Sequence, residues 1–116
     1  MARSANQKLK LLYLARYFLE RTDEAHSVSV AELIAYLDGL GIRAERKSIY
    51  DDIAALQRFG MDILQSAGQY HLASRTFELP ELKLLVDAVQ SSKFITRKKT
   101  LALIKKLESL SSVHEA

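Results

Sequence analysis

VSVAELIAYLDGLGIRAERKSIYDDIAALQRFG, residues 28–60, contains two helical patterns separated by a short glycine-bearing break. In the first, Ser29 stands three residues before Glu32, the spacing of a capping box. Val28 is placed to staple onto Leu33. Val30, Leu33, Ile34 and Leu37 then repeat at helical spacing, and Gly39 and Gly41 end the helix within a turn. In the second pattern, at about 100° per residue, Ile53 and Leu56 fall within about 40° of Ile49, while Lys47, Asp51, Ala54 and Arg58 point the opposite way. Arg46 and Tyr50 flank that polar face. Two helices joined by a tight turn with glycine form a helix-turn-helix unit.

The flanking sequence completes the unit. Upstream, residues 6–21 place Leu11, Leu14, Ala15 and Phe18 on one helical face, with Lys8, Lys10 and Arg16 assigned to the surface. The "SVS" segment at 27–29 suits a short β-bridge. Downstream, "MDILQS" and "QYHLAS" read as strands of a hairpin turning at Ala67-Gly68. A hairpin directly after the second helix is a wing. The predicted fold class is therefore mainly α with a small β-hairpin, a winged helix-turn-helix over residues 1–74 followed by a two-helix extension over 75–116. In the extension Pro80 marks a helix start ahead of Leu82, Leu85, Val86 and Val89. Thr96 caps a last helix with Leu101, Leu103, Ile104, Leu107 and Leu110 as its apolar residues. Those two helices carry more apolar surface than they can hide from water alone, so they are expected to pack on the winged unit, on a second copy or on a further domain.

Composition narrows the function classes. The 116 residues hold no cysteine, which removes disulfides and thiolate metal sites. No apolar run reaches the ~18 residues of a membrane span, and the N-terminus lacks a signal-peptide pattern, so a cytoplasmic protein is expected. His26, His71 and His114 are scattered without a second ligand at helical or strand spacing. There is no glycine-rich phosphate loop and no Gly-x-Ser-x-Gly. No enzyme activity, metal or cofactor is expected.

The net charge of +3 is unevenly spread. Residues 1–74 carry nine basic and nine acidic side chains, so the excess lies in 75–116, chiefly in the acid-free stretch KFITRKKTLALIKK. A mild basic excess favours polyanionic partners. Two readings of the polar face of residues 45–58 remain open: contact with DNA at the start of a recognition helix, or a solvated face.

The chain resembles bacterial transcription regulators that carry an N-terminal winged helix-turn-helix ahead of a WYL sensor domain. The resemblance rests on VSVAELIAYL, RKSIYDDIAALQRFGMDI, GQYHL and FELPELKLLVDAVQSSKFIT. It implies sequence-specific binding of double-stranded DNA, with helix 45–58 in the major groove; a homodimer is expected from the apolar stripe of the last helix and the usual pairing of such motifs on two-fold symmetric sites. The contacts it implies come from Arg46, Lys47, Ser48, Tyr50, Asp51 and Arg58, with His71 on the wing. Asp52 is expected to be structural, tying the recognition helix to a neighbour or capping partner. Three positions depart from the pattern: Asp51 where a base is common, Glu45 where a serine cap is usual, and the wing turn SAGQ, which lacks an arginine. The alternative is a winged-helix protein-interaction module that does not bind DNA.

Overall fold

The computed structural model describes residues 2–93 and 95–115, with side chains from Gln7 onward. Eight elements follow in chain order: α1 (Ala2–Arg21), β1 (Val28–Ser29), α2 (Val30–Gly39), α3 (Arg46–Phe59), β2 (Ile63–Ser66), β3 (Gln69–Leu72), α4 (Leu79–Gln90) and α5 (Arg97–Glu108). The fold is mainly α and winged-helix-like.

Each boundary has a local cause. The Ser29 side chain accepts the Glu32 amide at 3.1 Å, and the Glu32 carboxylate accepts the Ser29 amide at 3.3 Å, so the expected capping box forms. After α2 the chain reverses through Gly41 at φ +77°, a conformation that costs an L side chain energy. The wing turn places both Ala67 (φ 51°) and Gly68 (φ 77°) in the left-handed region, as a two-residue hairpin turn with the right twist demands. Glycine meets that demand freely; Ala67 does not.

The sheet has three antiparallel strands in the order β1-β3-β2. The sequence points to a bridge before α2, and it becomes a full edge strand, pairing Val28 with Tyr70 and Ser29 with Gln69. β1 is only two residues long, so β3 outruns it. There the buried Thr22 takes over: its hydroxyl accepts the Leu72 amide at 3.0 Å and donates to the Phe18 carbonyl at 2.8 Å. One hydroxyl thus supports the last turn of α1 and the open edge of β3.

The helices and the sheet's inner face share one core. Leu14 and Phe18 from α1, Leu33 and Leu37 from α2, Ile49, Ile53 and Leu56 from α3, and Ile63, Tyr70 and Leu72 from the sheet are all buried in it. The periodicity of α3 therefore identifies its inner face correctly.

α4 and α5 lie against each other through Leu82, Leu85, Val86, Ile104 and Leu107, of which only Leu82 is fully buried. Leu84 remains 71% exposed and Leu101 60% exposed. The expected apolar excess is thus real, and the extension does not hide it on the winged unit. Polar contacts at the end of α1 hold the two parts together instead. A helix leaves its last carbonyls without intrahelical donors. Arg75 donates to the Leu19 carbonyl at 2.6 Å and also to that of Thr22. The Val113 amide donates to Glu20 at 2.7 Å, and His114 Nε2 to Arg21 at 3.1 Å. Beside them, Ser112 donates to the buried Asp23 carboxylate at 2.6 Å, and His114 stacks on His26 with ring centroids 3.7 Å apart. Burial pushes the Asp23 carboxyl up, but hydrogen bonds from Ser112, His26 and the Ala25 amide outweigh it and hold its pKa below the usual value.

Candidate nucleic-acid interface

The outer surface of α3 follows from its helical period. With Ile49, Ile53 and Leu56 turned inward, Lys47, Asp51, Ala54 and Arg58 are exposed on the far side. Asp51, Ala54, Gln57 and Arg58 line a shallow open depression there. Arg46 is exposed at the first turn, where the helix amides are also unpaired and favour anions. Glu45 occupies the N-cap but makes no side-chain cap, so nothing from the cap residue's side chain covers those amides. Tyr50 is 43% exposed on the wing side of the helix. Its ring lies close enough to Tyr70 to add to the effect of burial in raising the Tyr70 pKa. At the other end, Gln57 donates to the Ile63 carbonyl at 2.7 Å and ties α3 to β2.

Two of the expected DNA contacts are not part of this surface. The Ser48 hydroxyl is half-buried and accepts a hydrogen bond from the Lys10 ammonium, so its side chain serves the α1–α3 junction. His71 alternates with the buried Tyr70 and Leu72, and therefore stands on the face of the sheet turned away from the core and α3. Arg46, Lys47, Tyr50, Asp51 and Arg58 are brought together; Ser48 and His71 are not.

Lys10 itself corrects the reading of α1. Its side chain is not on the surface: it is 6% exposed and lies 2.9 Å from Asp52 Oδ2, an oxygen shut off from solvent. Asp52 does tie the helix to a neighbour, and that neighbour is Lys10. The signal is present in the spacing, because Lys10, Leu14 and Phe18 stand four residues apart on one face, and the last two are core residues. The ion pair joins α3 to α1 beside the shared apolar core.

The exposed face is sparsely charged, with Arg46, Lys47 and Arg58 against Asp51. Its alanine at 54 keeps the helix surface low, so a partner can approach the backbone closely.

Residues 15–68 match the family model of the FokI D3 domain, a DNA-binding winged-helix-like domain. The match runs from the middle of α1 to the turn of the wing and so contains both helices of the helix-turn-helix. It names the FokI D3 domain and not the WYL regulators. No curated protein and no solved structure matches the chain. Among the described residues no helix is long and apolar enough to cross a membrane, and no cluster of His, Cys, Asp or Glu is arranged to hold a metal.

Proposed function

We propose that the chain binds double-stranded DNA by laying α3 in the major groove, and that it does so in transcription regulation in the bacterial cytoplasm, without enzymatic activity. The observation that carries this reading is the exposed row on α3, a helix joined to α1 by the Lys10–Asp52 ion pair and lying in a helix-turn-helix segment similar to the FokI D3 domain. Arg46 and Lys47 sit at the helix start, where such helices approach base edges and phosphates. Tyr50 and Arg58 extend the contact along the groove, and Asp51 limits it, since a carboxylate facing phosphate repels. The sequence resemblance to WYL regulators supports the regulatory role, and pairing as a homodimer would use leucines left exposed on the extension, such as Leu84 and Leu110. Light scattering at about 100 µM, above micromolar dimer constants, tests the pairing; a monomer mass there overturns it.

The test of the central claim is titration of one duplex pool with the parent and with Lys47→Ala. Binding should weaken by about 1–3 kcal/mol while the melting temperature stays nearly constant. If Lys47→Ala and Arg46→Ala both bind as the parent does, α3 is a solvated face.

One feature favours the second reading, a protein-interaction module. Phe59 at the end of α3 is 85% exposed, beside a winged unit with no net charge. Under that reading duplex DNA is not bound at any salt concentration.

A further inference from the structure

Charge in this molecule is not where the helix-turn-helix is. α5 carries Arg97, Lys98, Lys99, Lys105 and Lys106, all exposed, and among the described residues none of them forms an ion pair. From Ala88 to Leu107 there is no acid. At about 100° per residue these five side chains spread over about 200° of the helix surface, while Ile104 and Leu107 occupy the opposite arc against α4.

Placement adds a second argument. α4 departs from Arg75 and Glu78 at the end of α1, and α5 returns to Ser112–His114 at the same place. Arg97, Lys98 and Lys99 therefore sit at the far end of the helical pair, about 18 Å out for a twelve-residue helix. They also occupy the first turn of α5, where cations oppose the helix dipole, and no acid offsets them. Three bases placed where they weaken their own helix are not there for stability.

We propose that α5 is a second DNA-contacting surface, a basic arm that grips the phosphate backbone beside the site read by α3. This deepens and rests on the DNA-binding reading above. Duplex DNA carries a negative charge for every ~1.7 Å of its axis, and Arg97 to Lys106 span about 13 Å of helix, enough to neutralise several phosphates. The arm supplies affinity that is indifferent to sequence; α3 supplies choice. An anionic membrane is the poorer fit. A helix lying on lipid needs a broad exposed apolar arc, and here Ile104 and Leu107 are turned to α4, leaving only Leu101 and Leu103 as large apolar side chains exposed on α5.

The experiment uses the full chain, a pool of ~30-base-pair duplexes and a salt series, with two variants. Arg97→Gln/Lys98→Gln/Lys99→Gln should bind about tenfold or more weakly at low salt, with the log–log salt slope shallower by about two to three. The same variant should melt at a slightly higher temperature, because it relieves the helix dipole. Lys105→Gln/Lys106→Gln should also lose affinity, but melt slightly lower, since those bases suit a helix C-terminus. Affinity and stability moving in opposite directions in the first variant is an outcome that misfolding cannot produce. If the parent binds duplexes and both variants keep its slope, the arm proposal fails and the α3 reading stands. If these variants weaken binding while neither Lys47→Ala nor Arg46→Ala does, the arm stands and the α3 reading fails. A parent that binds phosphatidylserine vesicles but no duplex overturns both.

Discussion

The winged unit and the two-helix extension are held together by different physics. In the winged unit thirteen apolar side chains from every helix and strand meet in one buried cluster. In the extension Leu82 alone is fully buried among the apolar residues of α4 and α5, and attachment depends on donors aimed at the carbonyls of Leu19, Glu20, Arg21 and Thr22. The first is non-directional and sums over area; the second is directional and fails one bond at a time. A region built the first way tolerates changes on its surface, which leaves α3 free to carry contacts. A region built the second way is fixed at its root and open along its length.

The strongest way to sharpen this comparison is Ile53→Ala. Ile53 is 3% exposed within the cluster, and its loss should cost about 2–5 kcal/mol in denaturant melts. The matching change in the extension, Leu84→Ala, should fall within about 0.5 kcal/mol of the parent. Equal costs would break the comparison.

Next in size is the polar joint inside the winged unit. Lys10→Met leaves the Asp52 carboxylate without its counter-charge and should cost about 1–3 kcal/mol. Lys10→Met with Asp52→Leu should recover much of that, because a well-packed apolar pair replaces a buried ionic one at little loss. DNA affinity of the double variant is the sharper readout: restored stability with lost binding would identify the pair as the device that aims α3.

Smaller still is the root of the extension. Arg75→Ala removes donors to the Leu19 carbonyl of α1 and to that of Thr22 just after it, and a cation from the negative end of that helix, for about 1–2 kcal/mol. Hydrogen exchange should report faster amide opening in the last turn of α1 and little change in α3. The smallest effect runs the other way. Ala67→Gly at φ 51° should stabilise the hairpin by about 0.5–1 kcal/mol, seen as a small rise in melting temperature.

What the sequence discloses follows the same division. Its periodicities identify every helix and the inner face of α3, because burial repeats at 3.6 residues whatever lies on the other side. The capping box at Ser29 and Glu32 is local and equally legible. Lys10 misleads because its residue type argues for the surface, although its spacing from Leu14 and Phe18 places it inward. The roles of Ser48 and His71 depend on what lies opposite them, Lys10 in one case and the far side of a sheet in the other. The contacts from Arg75, Val113 and His114 to α1 join residues more than fifty positions apart through backbone oxygens, which leave no mark on composition.

Arg75 and His114 both end on carbonyls within the four residues Leu19 to Thr22, so the thirty-odd residues between them form a loop with a closed neck. The length of such a loop is nearly independent of its closure. Doubling it costs only about 0.6 kcal/mol in chain entropy. Three extra turns in each of α4 and α5 would carry the tip about 16 Å further out without disturbing a bond at the neck. Reach is therefore a quantity this architecture leaves adjustable.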